Sequence, residues 1–277
     1  MKNVSVLSKS NLCRVAGSIF SGALILFCVG GCGYTGYPLT GGTSAPGYLY
    51  LTGNWQMQNT STTGTSPFSA MAGDINEQND GATTHTVTSV FQVTPTGACF
   101  LGAETVPSQG SLTGTALGLN GFSVNGQYVT FSATKDATAT HLTGTYIVRG
   151  GCAGGAAGTF SGTKLANLTG TYRGSTSATG TMSFALSQSS VPNGLGYFSE
   201  SGTANFSGFS CLMSATVNSS VSSVIGETVK LVMTDNNRNP VVLNGTFAED
   251  ASAITVTSIE SAASPCVATT TPFTLTR

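Results

Sequence analysis

Charge is scarce in this sequence. Lys and Arg number 10 and Asp and Glu 11 among 277 residues, 8 % of the chain, where a globular protein usually carries about 25 %. So thin a basic set cannot supply the phosphate neutralisation on which nucleic-acid binding depends, and that class of partner is excluded. Histidine is nearly as rare, with only His85 and His141, and Trp55 is the single tryptophan. The cysteines lack close C-x-x-C spacing with neighbouring histidines, which argues against a zinc site. No G-x-S-x-G nucleophile elbow is present. Gly121-Phe122-Ser123-Val124-Asn125 fails at its last residue, and Gly158-Thr159-Phe160-Ser161-Gly162 misplaces the serine. Long apolar runs are missing as well. The stretch from Val15 to Val29 is diluted by Gly17, Ser18, Ser21 and Gly22, and it falls short of the roughly 20 apolar residues that a spanning helix needs.

Glycine is abundant, at 36 residues, and Ser, Thr, Asn and Gln supply the surface polarity that charge does not. This is a composition suited to strands and turns. The N-terminal segment differs in kind. Lys2, Lys9 and Arg14, with no acid among them, precede the short apolar stretch, as in an export signal. Val29-Gly30-Gly31-Cys32 then resembles the lipobox of bacterial lipoproteins: an aliphatic residue, two small residues and the acceptor cysteine. Cys28, preceded by the bulky Phe27, does not fit that pattern.

The resemblance implies a signal peptide over residues 1–31 and a diacylglyceryl lipid, of palmitate type, on Cys32. The mature chain would then be held on a membrane of the cell envelope. Gly33 in place of a retaining aspartate favours the outer membrane over the inner. Residues 32–47 show no strand pattern and are expected to be a flexible tether. Seven basic and eleven acidic residues remain beyond the signal, a net charge near −4.

With Cys13 and Cys28 lost with the signal and Cys32 lipidated, four cysteines remain: Cys99, Cys152, Cys211 and Cys266. An even number in an exported chain favours disulfides, and four allow three pairings. An internal repeat selects one. Leu51-Thr52-Gly53-Asn54-Trp55 matches Leu168-Thr169-Gly170-Thr171-Tyr172, and each phrase is followed by two cysteines at similar distances. Between the cysteines, the segment from Gly126 to Phe131 is aligned with that from Gly226 to Leu231, and Leu142–Tyr146 with Leu243–Phe247. The expected bonds are therefore Cys99–Cys152 and Cys211–Cys266.

Alternating segments such as Met182-Ser183-Phe184-Ala185-Leu186 and Val229-Lys230-Leu231-Val232-Met233 read as half-buried strands. Turn clusters at Gly73-Asp74, Asn79-Asp80-Gly81, Asn125-Gly126, Asn193-Gly194 and Asp235–Pro240 separate them. The expected fold is all-β: two similar antiparallel barrel or sandwich units over residues 48–165 and 166–277, each with one disulfide. Leu51–Trp55 and Leu142–Tyr146 also resemble opening strands of calycin barrels, the lipocalin and avidin type. In that reading Trp55 would plug a barrel end; otherwise it is an ordinary core residue. The whole chain resembles the Thr/Gly-rich lipoproteins of environmental Gram-negative bacteria, a family defined by address rather than activity.

Candidate chemistry is thin. His85 and His141 lie in strand-like, Thr-rich segments. Asp74, Glu77 and Asp80 are the only acidic cluster, and it reads as a solvated loop rather than an EF-hand, because Asn79 replaces the turn glycine and His85 the bidentate glutamate. No catalytic residue, metal site or cofactor is expected. The expected function is a non-enzymatic structural or binding role in the envelope, with an envelope macromolecule as partner. The alternatives are a carrier of a small apolar ligand and a hydrolase whose site the sequence does not reveal.

Overall fold

Strict alternation along short Thr- and Val-rich segments makes strands with one apolar face, and such faces are buried most fully when the sheet closes on itself. The computed structural model describes residues 48–277 apart from 64–65, 80, 82, 101–103, 177–179, 210, 263–267 and 270–271. The signal segment, the tether, Cys32, Asp80 and Cys266 lie outside the described residues. The first unit comprises β1 (Gly53–Ser61), β2 (Phe68–Glu77), β3 (Thr84–Pro95), β4 (Thr105–Thr113), β5 (Ala116–Gly121), β6 (Tyr128–Lys135), β7 (His141–Arg149) and β8 (Ala157–Lys164). Each pairs antiparallel with the next, and β1 with β8, so the sheet is a closed barrel.

The second unit comprises β9 (Gly170–Ser175), β10 (Thr181–Pro192), β11 (Phe198–Ser207), β12 (Ser214–Val217), β13 (Ser223–Ile225), β14 (Thr228–Asp235), β15 (Pro240–Phe247), β16 (Ala253–Ser261), β17 (Ala268–Thr269) and β18 (Phe273–Thr276). Here β12 and β13 share the fourth stave, since both pair with β11 on one side and β14 on the other. β10 pairs with both β9 and β11, and β18 pairs with β9 and β16, which closes a second eight-staved barrel. β17 is a short addition beside β16. Both units are thus barrels and not sandwiches.

Each barrel has its own core. In the first, Phe68 packs on Phe100 and Tyr146, and Phe131 on Phe91 and Phe160, with ring centroids 5.1–6.2 Å apart, the spacing of favourable aromatic pairs. Trp55 is fully buried at the start of β1 and donates its indole N–H to the Leu51 carbonyl at 2.7 Å.

The repeat is visible in the hydrogen bonding. The Leu51 amide donates to Glu77 on β2, and the Leu168 amide donates to Gln188 on β10, both at 2.8 Å. The Glu77 and Gln188 amides donate back to the Thr52 and Thr169 hydroxyls, both at 3.0 Å. Gly53 lies opposite Ile75, and Gly170 opposite Leu186. The Leu-Thr-Gly phrase therefore opens each barrel by latching onto its second stave.

Two expectations are corrected. The segment around Gly126–Phe131 enters the sixth stave of its barrel, whereas Gly226–Leu231 enters the fifth; Leu142–Tyr146 lies in the seventh, Leu243–Phe247 in the sixth. These phrases resemble one another because Gly/Thr-rich staves share short patterns, and Leu142–Tyr146 opens no barrel. The cysteines do correspond by position: Cys99 and Cys211 follow the third stave, Cys152 the seventh. Second, Gly73-Asp74 is not a turn. β2 runs through it, because Gly73 packs against the Val90 carbonyl with no room for a Cβ and Asp74 is covered from outside. Asn125-Gly126 is a turn, with both φ angles positive (49° and 75°) between the paired Val124 and Gln127, as a tight primed hairpin demands.

The two barrels belong to one compact unit. Asn54, on the outer face of β1, exchanges two hydrogen bonds with the Gly226 backbone at 2.7 and 2.8 Å. The Tyr197 hydroxyl donates to Gln92 on β3 at 2.8 Å. Gly226 has φ +50°, and a Cβ there would come within 2.2 Å of Gln56 Oε1 and 2.6 Å of Ala72, so only glycine permits this approach.

Candidate functional site

The densest polar cluster lies where the chain enters the first barrel. Residues 48–52 strap its mouth, held by Glu77 at the end of β2. That carboxylate is fully buried and accepts from the Tyr48 hydroxyl at 2.5 Å and the Leu51 amide at 2.8 Å. His85 on β3 brings Nδ1 to 2.7 Å of the same Oε1 that Tyr48 engages, outside hydrogen-bond geometry. The Tyr48 ring stacks on the His85 ring with centroids 4.9 Å apart. Lys135 donates to the Tyr48 hydroxyl and the Leu49 carbonyl and sits 4.3 Å over the Tyr48 ring. Lys164 donates to the Tyr50 carbonyl at 2.8 Å.

The electrostatics of this cluster suit a clamp. Burial, then the Glu77 hydrogen bond and charge, hold the Tyr48 phenol well above its ordinary value, which is the opposite of an activated nucleophile. Burial lowers the Lys164 ammonium, opposed by Glu77. Removing the carboxylate leaves Tyr48, Leu51 and His85 without their common partner. Glu77→Ala is therefore expected to cost about 2–4 kcal/mol and to open residues 48–52 to chymotrypsin. Glu77→Gln should cost only about 1 kcal/mol, because Gln188 makes the same latch in the second barrel. Urea denaturation with timed proteolysis separates the two variants.

Of the acidic cluster expected as a solvated loop, Asp74 and Glu77 are instead part of β2, where strand alternation splits them, and Asp80 lies outside the described residues. Glu77 points into the barrel mouth, whereas Asp74 faces outward beneath the second barrel, where a Cβ on Gly196 would lie 3.2 Å from its Oδ1. The two carboxylates cannot share an ion. Burial pushes the Asp74 carboxyl up to about 7, with the Asp74 and Val90 backbone pulling the other way, and Oδ1 has no hydrogen-bond partner. Among the described residues, no three His, Cys, Asp or Glu side chains converge as a metal site would require.

His141 is exposed on β7. Its Nδ1 lies 3.0 Å from Thr140 Oγ1 and 3.3 Å from Asp136 Oδ2, and Nε2 is 3.7 Å from Glu249. The hydroxyl and the nearer acid thus meet the same ring nitrogen. A relay needs them on opposite nitrogens, and the acid on the opposite side, Glu249, stands at 3.7 Å, beyond hydrogen-bond reach, so no hydrogen-bonded relay runs to the threonine. The Thr138 hydroxyl bond, together with the His141 and Thr140 amides, holds the Asp136 carboxyl well below the usual range.

Cys99 and Cys152 are bonded, with Cα atoms 5.5 Å apart, joining the β3–β4 and β7–β8 connections at one end of the first barrel. Cys211 is also disulfide-bonded, and its expected partner Cys266 lies outside the described residues. Glu200 was not anticipated by the sequence. It points into the second barrel from β11, fully buried, with neither oxygen hydrogen-bonded. Burial pushes its carboxyl up to about 8, with the Ser187 backbone pulling the other way. Among the described residues, clefts of about 730, 470, 1030 and 500 Å³ are lined by stave ends, loops and outer faces. The chain matches no family model, no curated protein and no solved structure.

Proposed function

We propose that this chain is a non-enzymatic lipoprotein of the cell envelope, anchored through a lipid on Cys32, whose paired barrels serve a structural or binding role. The observation that carries the reading is the strapped mouth. The first residues after the tether are clamped by a buried carboxylate and two lysines. A body pulled by its N-terminus needs its entry point held in this way. The lipobox and the charged, short-cored signal ahead of it supply the anchor. The sixteen-residue tether spans at most roughly 55 Å when extended, which lets the barrels work beyond the headgroups. A binding role is favoured over catalysis because neither histidine forms a relay. It is favoured over carriage of a small apolar ligand because aromatic side chains pack the first barrel's interior and the clefts lie outside. The intact mass of the mature protein tests the anchor.

A further inference from the structure

The second barrel departs from the first at its fourth stave, whose β13 segment packs against β1 and β2 of the first barrel. In the first barrel the fourth stave, β4, runs unbroken from Thr105 to Thr113. In the second, residues 218–222 are inserted between β12 and β13 and interrupt the same stave. The insertion is rigidly built. The Val221 and Ser222 amides donate to the Asn218 carbonyl, the Ser220 amide to the Asn218 side chain, and the Ser222 hydroxyl bonds the Val232 backbone in both directions. Interruptions of this kind gather beside functional sites because they re-aim side chains.

This insertion forms one rim of a groove of about 730 Å³ between the barrels, with the β10–β11 loop beside it and the β2–β3 face opposite. That volume is within the range of ligand clefts, about 300–1,000 Å³. Eleven of its nineteen lining side chains are neutral amides or hydroxyls, none is a carboxylate, and Lys230 is the only cation among them. Three of the eight exposed large apolar side chains among the described residues also gather here: Val191, Leu195 and Val221, at 57, 53 and 51 % exposure. Apolar and neutral hydrogen-bonding groups are thus interleaved, with almost no charge.

We propose that this groove binds a neutral glycan chain. Sugar rings present C–H faces that pack on Val191, Leu195 and Val221, and hydroxyl edges that exchange hydrogen bonds with serines and amides. A charged peptide would leave its ion pairs unmet there. The proposal deepens the binding role given above and rests on it only for where such chains are encountered. Because both barrels line the groove, the Asn54–Gly226 contact holds the site open.

The test is calorimetric titration of the full mature protein with chitotetraose and with maltotetraose. Saturable binding of at least one, in the millimolar range or tighter, is expected. Ser199→Trp, which fills the groove from the outer face of β11, should weaken binding by about tenfold or more. Val221→Ala, a truncation on an exposed loop that leaves the fold intact, should weaken it about threefold. Phe122→Ala, on an exposed apolar residue outside the groove, should change nothing. No binding of either sugar, or binding indifferent to both groove variants, overturns the proposal, as does binding confined to apolar peptides. A mature chain without lipid would overturn the anchor and leave this titration unaffected, so the two failures are distinguishable.

Discussion

Replacing Glu200 with valine is expected to stabilise the protein at pH 7 by about 3 kcal/mol and to raise its Tm by about 6–12 °C. The substitution follows from register. Glu77 pairs with Val87 across β2–β3, and Gln188 with Glu200 across β10–β11. Since Glu77 and Gln188 make the same latch, Glu200 occupies the site that Val87 fills in the first barrel, and both side chains are fully buried. A carboxyl raised from 4.5 to about 8 by burial stays protonated in the folded state long after the unfolded chain has released its proton. The unfolded state then binds fewer protons, so stability falls as pH rises from about 4.5 and the loss is complete above about 8. Urea denaturation of wild type and Glu200→Val at pH 5 and pH 8 checks this. The advantage of the variant should be small at the lower pH and largest at the higher. Asp74, raised from 3.8 to about 7, adds a loss of the same sign over a lower window, so the variant should keep a shallower fall. An equal advantage at both pH values would show that Glu200 does not titrate as its burial dictates.

Removing the Cys99–Cys152 bond should have the opposite and slightly larger effect. Its two cysteines are 53 residues apart, and closing such a loop restricts the unfolded chain by about 4 kcal/mol in the chain-entropy model. In the folded state the bond joins two connections at one barrel end, where Gln127 also donates to the Cys99 carbonyl and accepts from the Ala153 amide. Gln127 keeps these loops together when the sulfurs are gone, so the barrel should persist with lower stability. The double variant Cys99→Ala/Cys152→Ala is expected to lose about 3–4 kcal/mol and about 8–15 °C in Tm. Its circular dichroism at low temperature should match wild type. A loss under about 1 kcal/mol would mean that the unfolded chain is already compact.

Strand identity was legible in the sequence because alternation is local: Met182, Phe184 and Leu186 point inward as their spacing requires. Closure was not, since it depends on β1 meeting β8 and β9 meeting β18, pairings across 90 residues or more that no local pattern encodes. Short Thr/Gly phrases recur in staves that do not correspond, whereas the first stave's latch and the cysteine positions follow the repeat. The run from Asp74 to Gly81 reads as a polar loop because its composition hides alternation. Once β2 is seen to continue, one acid goes inward and the other beneath the neighbouring barrel. Glu200 carried no local signal; only register against Val87 marks it as the misplaced charge. The strap could have been suspected from Tyr48 and Tyr50 beside the Leu-Thr-Gly phrase, but its acceptor lies 26 residues from Leu51.

Intact-mass analysis of the mature protein, with and without reduction, tests the proposed anchor. The expected species is a chain that begins at Cys32, heavier than its sequence by a diacylglyceryl group, with reduction adding two hydrogens for each of two disulfides. Cys32→Ala should abolish the lipid mass and leave the disulfide increments unchanged. A mature chain with an unmodified N-terminus, at Cys32 or elsewhere, would overturn the lipid anchor.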